Sequence, residues 1–355
     1  MIQLETKDRF SGCLLAGAVG DALGVPVEFL TIDEIRTIFG PEGIRTFTET
    51  TGGIGIVSDD TQMTLFTAEG LLSEYHRCRT SGLKPDYSTA VYRSYLRWLH
   101  TQGEVSRDPG FRDCLGGELL KVPELNHRRG PGSTCLSSLI SGRIGTVASP
   151  INTGKGCGGV MRVSPAGLFC RAIPGGMDDR ERAAMAFELG CGVAAITHGH
   201  PLGYLPAGYL AAVLFYLTSG MGLEEALSGA MLLLVERPES EKSSLAALIA
   251  RASRSALQDE PSPETLKRLG AGWVADEALA IAVYCAISAK GDLASGLRLA
   301  VNHSGDSDST GAITGNILGA LLGKEAIPAA WLARVEMREL LEKMAGELFA
   351  ISQQP

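Results

Sequence analysis

The stretch VNHSGDSDSTGAITGNILGALLG, residues 301–323, combines two features that decide the fold. Two aspartates, Asp306 and Asp308, stand among small polar residues, and an uncharged segment with a glycine at every fourth position follows them. On a helix these glycines lie close to one line, and a face without side chains lets another helix approach closely. The glycines in line are Gly311, Gly315, Gly319 and Gly323. The stretch therefore predicts a closely packed helix with carboxylates fixed at its start.

The rest of the chain shows mainly helical periodicity. Apolar residues recur at helical spacing in 181–197, 205–218, 223–235, 244–257, 276–289 and 331–350. Strand-like alternation is nearly absent, and only residues 44–53 fit a short hairpin. No linker or repeat divides the 355 residues, and functional-looking residues lie near both ends. We therefore predict a single all-α domain that spans residues 1–355.

Composition limits the classes of function. A net charge of -8 argues against nonspecific binding to nucleic acid, which needs a basic surface. The eight cysteines include no CxxC pair and no secretory signal is evident, so we expect a reduced, cytoplasmic protein. Residues 201–223 carry no charge, but Pro201, Pro206 and several glycines interrupt them, which favours a buried core helix over a membrane span. We expect a monomer with no membrane partner.

A second acidic cluster resembles the first. Ser58, Asp59 and Asp60 precede a helical apolar pattern, which is also how an ordinary helix begins. Neighbouring carboxylates in a first helical turn point about 100° apart. They are therefore better placed to bind separate cations than to cap the same backbone amides. Two such helix starts facing each other would offer hard oxygen ligands, which favour Mg²⁺, Mn²⁺ or Ca²⁺ over Zn²⁺.

One rival interpretation rests on the string Asp306-x-Asp308-x-Thr310, which matches the DxDxT pattern of haloacid dehalogenase-type phosphotransferases. That pattern belongs directly after an apolar strand at the start of a doubly wound sheet. Here the string follows GLRLAVNHSG near the end of a helical chain, so we disfavour a phosphatase.

Several motifs together resemble the ADP-ribosylglycohydrolase family. They are GCLLAGAVGDALGVPVEF, SDDTQM, GCGGVMRVSPAGL, THGHP and SGDSDSTGAITGNILGALLG, in the family's order and across most of the chain. The resemblance implies an all-α bundle with two divalent cations, Mg²⁺ or Mn²⁺, at the bottom of a cleft.

Site residues carry over from the resemblance position by position. The implied metal ligands are Ser58, Asp59, Asp60, Asp306, Asp308 and Ser309. The implied ligand-binding residues are Gly156, Cys157, Gly158, Gly159, Met161, Arg162 and His198. Glu28 corresponds to the glutamate beside the scissile bond and completes a catalytic set with Asp59 and Asp60, while Asp21 is expected to hold the turn of GDALG. The chain departs from the family at Cys157, where asparagine is frequent, and at Ser309, where threonine is usual, so Thr310 is the alternative hydroxyl ligand.

The implied activity is hydrolysis of the C1″ glycosidic bond of ADP-ribose attached to a protein side chain or another acceptor. The cations would orient the ribose hydroxyls and activate water, and Glu28 would act as general acid or base. Such an enzyme reverses ADP-ribosylation, either in regulation or as immunity against an ADP-ribosylating toxin. The alternative is a non-catalytic ADP-ribose-binding or structural protein on the same fold, although such a protein has no reason to keep mutually repelling carboxylates.

Overall fold

The computed structural model describes residues 5–354, which form sixteen α-helices. Within those residues there is no β-strand and only two isolated bridges, so the all-α prediction is confirmed. The helices are α1 (Thr6–Gly24), α2 (Ile32–Phe39), α3 (Asp59–Ser81), α4 (Tyr87–Thr101), α5 (Ser133–Ile140), α6 (Ser164–Ala172), α7 (Asp179–Ala195), α8 (Pro201–Thr218), α9 (Leu223–Val235), α10 (Lys242–Gln258), α11 (Pro263–Leu269), α12 (Ala275–Ser288), α13 (Leu293–Val301), α14 (Ser307–Leu322), α15 (Ala329–Leu332) and α16 (Arg338–Ala350).

The glycine stripe of α14 packs against α1 in antiparallel orientation. A Cβ atom on any of the three facing glycines of α14 would overlap the backbone of α1, so the two backbones are in direct contact. The facing pairs are Gly20 with Gly311, Ala16 with Gly315, and Gly12 with Gly319. This contact brings the end of α1 to the start of α14, where the two aspartates lie.

Two helical stretches, Thr6–Val27 and Pro201–Thr218, are long and apolar enough to cross a membrane by length and composition alone. In the structure most of each stretch is buried inside the protein: 83% of the most apolar part of the first stretch and 89% of that of the second. Helix α8 packs on α6, α7 and α9, and α1 packs on α14 and α16. Both are core helices, as the sequence predicts for the second.

Two predicted segments differ from the structure. The hairpin predicted at residues 44–53 is wrong, because this segment is irregular and ends in a 3-10 helix, Glu49–Thr51. The helical rhythm of 331–350 is broken into α15 and α16, with Met337 in the left-handed region at a φ of 56°. Between the two helices the backbone is free to bond Gly55. The Gly55 amide donates to the Arg334 carbonyl, and the Gly55 carbonyl accepts from the Glu336 amide, both at 2.9 Å.

Candidate active site

Three structural elements meet at an open cleft of about 250 Å³. They are the starts of α3 and α14 and the chain that follows the 3-10 helix Val25–Val27 at the end of α1. The cleft is lined by Glu28, Asp59, Asp60, Gly130, Gly132, Ser133, Thr134, Cys135, Gly156, Cys157, Gly158, Met161, His198, Trp273, Asp306, Asp308 and Ser309. The fold thus brings together most of the residues proposed from sequence. Ser58, Gly159 and Arg162 do not line the cleft.

On the α14 side, Asp306 caps its own helix. Its Oδ1 accepts a hydrogen bond from the Ser309 amide at 3.3 Å, and its Oδ2 accepts one from the Cys157 thiol at 2.7 Å. The same Ser309 amide lies 2.9 Å from Asp308 Oδ1. The Asp306 amide donates to the carbonyl of Ala271 at 2.9 Å, which ties the helix start to the chain before α12. Both carboxylates therefore have fixed orientations.

On the α3 side, Ser58 is the capping residue, and its hydroxyl accepts from the Asp60 amide at 3.2 Å. The Asp59 amide donates to the carbonyl of Arg129 at 2.9 Å, and Asp59 Oδ2 lies 3.4 Å from the Gly132 amide. Asp60 Oδ2 is buried and has no hydrogen-bond partner among the described residues. A buried carboxylate oxygen without a donor is a costly arrangement that a bound cation would relieve.

Asp21 holds the α3 start in place from inside α1. Its carboxylate accepts from the Ser58 amide at 2.9 and 3.1 Å, from the Thr61 amide at 3.1 Å and from the Thr61 hydroxyl at 2.5 Å. The motif GDALG forms the C-terminal end of helix α1. The turn that the sequence analysis expected at this motif is therefore wrong. Asp21 is structural in a different way, because it links two helices.

The acidic cluster is dense and lacks basic partners. Carboxylate oxygens of Glu28, Asp306 and Asp308 lie within 4.8 Å of one another. Within residues 5–354, none of the five cleft carboxylates forms an ion pair with lysine or arginine. Burial, and then the charge of Asp308, raise the pKa of Asp59, Asp60 and Asp306 well above the ordinary range of aspartate. The same two causes raise the pKa of Glu28 to about 8.

Crowded carboxylates of this kind either keep protons or bind cations. The donor set consists of carboxylate and hydroxyl oxygens, with the Cys157 thiol already donating to Asp306. Oxygen donors fit Mg²⁺ or Mn²⁺.

The geometry favours Ser309 over Thr310 as the hydroxyl that faces the cleft. Ser309 is part of the cleft wall. Thr310 is fully buried, and its hydroxyl lies 2.8 and 2.9 Å from the carbonyls of Asp306 and Ala300 and 2.9 Å from His303 Nε2. The Thr310 hydroxyl is thus fully occupied on the far side of the helix.

The glycine-rich loop forms the wall next to the α14 start, where the Cys157 thiol contacts Asp306. It contains the 3-10 helix Cys157–Gly159, and the Cys157 amide donates to the carbonyl of Trp273 at 3.1 Å. A Cβ atom at Gly158 would lie 2.8 Å from Cys135 Sγ and 3.1 Å from His198 Cε1, so a side chain does not fit there. Gly159 faces away, where a Cβ would lie 2.8 Å from the carbonyl of Gly203. Gly159 therefore serves helix packing and does not contact the cleft.

His198 lines this wall and Arg162 lies behind it. Burial, and then the positive charge of Arg162, lower the pKa of His198 to about 3, so the ring is neutral at ordinary pH. Arg162 is fully buried, so the direct ligand contact implied by the resemblance does not fit its position. Arg162 contacts the Thr197 hydroxyl instead, at 2.7 Å.

Sequence reasoning missed part of the cleft wall. The segment 130–135 before and in α5 contributes five residues, although the breaker-rich region 103–163 signals an irregular functional segment. Trp273 stacks on Phe29 with ring centroids 5.5 Å apart and an interplanar angle of 19°. Phe29 is 78% exposed, which places this aromatic pair at the mouth of the cleft beside Glu28. Phe29 is the last residue of the motif GCLLAGAVGDALGVPVEF, but no motif in the sequence marks Trp273.

Comparison with known proteins gives a consistent result. The sequence profile of the ADP-ribosylglycohydrolases matches residues 3–355. An uncharacterized protein of Archaeoglobus fulgidus is 30% identical over 97% of both chains. The ADP-ribosyl-(dinitrogen reductase) glycohydrolase of Rhodospirillum rubrum is 25% identical, covering 94% of this chain and 92% of that protein.

Two further comparisons agree with these. The ADP-ribosylarginine hydrolase Tri1 of Pseudomonas putida is 25% identical, covering 97% of this chain and 79% of that protein. A solved structure described as an ADP-ribosylglycohydrolase-related protein complex has a TM-score of 0.64 and 27% identity, covering 98% of this chain and 99% of the other.

Proposed function

The chain belongs to the ADP-ribosylglycohydrolase family, and on that basis we propose that it is a metal-dependent hydrolase of ADP-ribosylated acceptors. The bond cleaved is the glycosidic bond at C1″ of ADP-ribose, attached to a protein side chain or another acceptor. The family and the names of its relatives support the hydrolase class.

The observation that carries the proposal is the unpaired acidic cluster. Oxygens of Glu28, Asp306 and Asp308 converge within 4.8 Å, and the buried Asp60 Oδ2 lacks a donor. The residues proposed to hold two cations, Mg²⁺ or Mn²⁺, are Ser58, Asp59, Asp60, Asp306, Asp308 and Ser309. Ser58 fits least well, because it does not line the cleft and its hydroxyl already accepts from the Asp60 amide.

Bound cations would supply Lewis acidity that holds sugar hydroxyls and lowers the pKa of a water molecule. The protein itself supplies a candidate proton carrier, because Glu28 lines the cleft beside Asp306 and Asp308 and is not one of the six proposed cation ligands. Glu28 is thus suited to donate a proton to the leaving group or to accept one from water. Asp59 and Asp60 would hold that water's position by fixing the cations.

The glycine-rich wall is suited to bind the nucleotide part of the substrate. Gly156, Cys157 and Gly158 line the cleft, and a side chain at Gly158 would collide with Cys135 and His198, so backbone forms this part of the wall. Met161 contributes apolar surface, and His198 contributes a neutral ring. Carboxylates on one wall and backbone on the other orient an ADP-ribose unit with its distal ribose toward the acidic cluster.

Arginine is the first acceptor to assay, since one relative is named an ADP-ribosylarginine hydrolase. A second relative is named for a protein substrate, dinitrogen reductase. The biological role is either reversal of a regulatory modification or protection from an ADP-ribosylating toxin. The two roles require the same chemistry.

The test is release of ADP-ribose from a panel of modified acceptors, with Mg²⁺ or Mn²⁺ and with chelator. We expect turnover that chelation abolishes. Asp308→Ala should bind no cation and turn over no substrate, whereas Asp33→Ala, a change at an exposed position on α2, should match the wild type. Glu28→Gln should keep its cations and lose about a hundredfold in rate. Turnover that survives chelation would refute the metal dependence, and binding of ADP-ribose with no cleavage of any acceptor would favour the non-catalytic alternative.

A further inference from the structure

Arg162 is a buried cation without a carboxylate partner. Its side chain has no solvent exposure, and no ion pair among residues 5–354 includes it. The guanidinium lies 4.3 Å from the centroid of the Tyr95 ring, and Nη1 contacts two sulfur atoms, Cys135 Sγ at 3.3 Å and Met63 Sδ at 3.4 Å. Burying a charge costs free energy unless hydrogen bonds or an opposite charge compensate it.

The strongest hydrogen bond of Arg162 leads toward the cleft. Its Nη2 donates to the Thr197 hydroxyl at 2.7 Å, while the contact of Nη2 with the carbonyl of Val193 is longer, at 3.4 Å. The same Thr197 hydroxyl lies 2.8 Å from His198 Nδ1. A guanidinium, a hydroxyl and an imidazole thus form a chain that ends at the cleft wall.

The protons in this chain can be assigned by counting donors. Arginine has only donors, so Thr197 must accept from Arg162 and keep its own proton for another acceptor. The acceptors near that hydroxyl are His198 Nδ1 and the weaker sulfur of Cys135. The nitrogen is the better acceptor, so the hydroxyl donates to Nδ1. The remaining ring proton of the neutral imidazole then belongs on Nε2.

Nε2 is the atom that the cleft can use. A Cβ atom at Gly156 or at Gly158 would lie 3.5 Å from it, so it faces the glycine-rich wall. It makes no hydrogen bond with another residue in the described range. We infer that Arg162 and Thr197 are positioning residues that fix His198 as the Nε2–H tautomer, which presents a permanent donor to an oxygen of the bound ligand. This inference rests on the proposed function for the identity of the ligand, ADP-ribose.

The tautomer can be read directly by long-range ¹H–¹⁵N NMR on the labelled full-length protein, with His198→Asn identifying the signals. We expect protonated Nε2 and unprotonated Nδ1 in the wild type. Thr197→Ser keeps the hydroxyl and should keep this pattern. Thr197→Val preserves shape but removes the hydroxyl, so a substantial Nδ1–H population should appear. A wild-type ring protonated at Nδ1, or a Thr197→Val ring identical to the wild type, would overturn the inference.

Affinity provides the second readout. Calorimetry with free ADP-ribose should show about tenfold weaker binding for Thr197→Val, the scale of one hydrogen bond to a charged group, and a change below about twofold for Thr197→Ser. Equal affinities in the two variants would contradict the positioning role.

Arg162 is tested by Arg162→Lys, which keeps a charged donor, against Arg162→Met, which removes it. Only Arg162→Met should show a mixture of the Nδ1–H and Nε2–H tautomers of His198. Thermal melting and the dispersion of the NMR spectrum will show whether Arg162→Met folds. If it does not, the comparison of Thr197→Ser with Thr197→Val still decides the inference. If the wild type binds no ADP-ribose, the proposed function fails, while the ring spectra still test the tautomer.

Discussion

The two helix starts that form the acidic cleft carry similar residues but are held by different forces. The α3 start is fixed by hydrogen bonds from Ser58 and Thr61 to the buried carboxylate of Asp21. The α14 start is fixed by steric contact, because a Cβ atom at Gly24 would overlap the backbone of Ser307 and Asp308. The α3 position depends on a buried carboxylate, whereas the α14 position depends on the absence of a side chain at Gly24 together with the backbone bond from Asp306 to Ala271.

Both kinds of contact come from the same five residues of α1. Gly20 touches Gly311, Asp21 binds the α3 start, and Gly24 touches Asp308. The end of α1 therefore acts as a common template that sets the distance between the two groups of carboxylates. Breaking the steric contact should cost more than weakening the polar one, because backbone atoms have nowhere to move in a close-packed interior.

The largest effect is expected for Gly24→Ala. The added methyl group would overlap backbone on α14, so the helices must separate. We expect a loss of about 3 kcal/mol or more in the free energy of unfolding, and turnover below about 1% of wild type because Asp308 is displaced. Urea denaturation and the ADP-ribose release assay measure the two effects. Gly346→Ala in α16 is the matched control, since a Cβ there meets nothing within 4 Å. Equal behaviour of the two variants would show that the steric contact is not needed.

A smaller effect is expected for Asp21→Asn. An amide keeps one acceptor, but its NH₂ group would face the Thr61 amide, which is itself a donor. The variant should lose about 2 kcal/mol of stability and bind Mn²⁺ more weakly, since the α3 start is no longer held. Denaturation and calorimetry give both values, with Asp33→Asn on the surface as control. Unchanged Mn²⁺ affinity would mean that the α3 start holds its position without Asp21.

The pH dependence of stability tests the charged side of the comparison. Burial, and then the charge of Asp308, raise the pKa of Asp21 to about 7, whereas an unfolded aspartate titrates near 4. Between these values Asp21 keeps a proton in the folded protein that it has lost in the unfolded chain, so its contribution to the free energy of unfolding falls as pH rises.

In chelator we therefore expect the difference in free energy of unfolding between wild type and Asp21→Asn to fall by about 1 kcal/mol per pH unit between about pH 5 and pH 7. Saturating Mn²⁺ should remove or reverse the trend, since a cation favours the ionised carboxylates. Denaturation series at several pH values, with and without Mn²⁺, measure the slope. A difference between wild type and Asp21→Asn that rises with pH in chelator would contradict the raised pKa of Asp21.

The comparison also shows what the sequence could reveal. The α14 contact is visible in the sequence because its glycines repeat at one helical interval, and the structure identifies α1 as the partner. The acidic residues of both helix starts were also recognisable, since aspartates before a helical pattern are a local signal. The link from Asp21 to Ser58 spans 37 residues and depends on side-chain direction, which no local pattern encodes.

Other parts of the site were hidden for the same reason. Trp273 and the segment 130–135 reach the cleft through tertiary packing. Arg162 belongs to a recognisable motif, yet only the structure shows that it lies behind the wall. The break between α15 and α16 was missed because Met337 adopts a left-handed backbone that the apolar rhythm does not reveal.

The smallest effect is expected for substitutions of Cys157, whose thiol hydrogen-bonds Asp306 at the start of α14. Its thiol donates to Asp306 Oδ2 at 2.7 Å, but Asp306 is also held by the Ser309 amide and through its own amide by Ala271. Cys157→Ser keeps a donor and should bind Mn²⁺ within about twofold of wild type, whereas Cys157→Ala should bind it about threefold more weakly, a fraction of one charged hydrogen bond. Calorimetry distinguishes the two, with Cys78→Ala near the far end of α3 as control. A much larger loss in Cys157→Ala would mean that hydrogen bonding, and not helix packing alone, determines the direction of the α14 carboxylates. The two helix starts would then be held by the same kind of force.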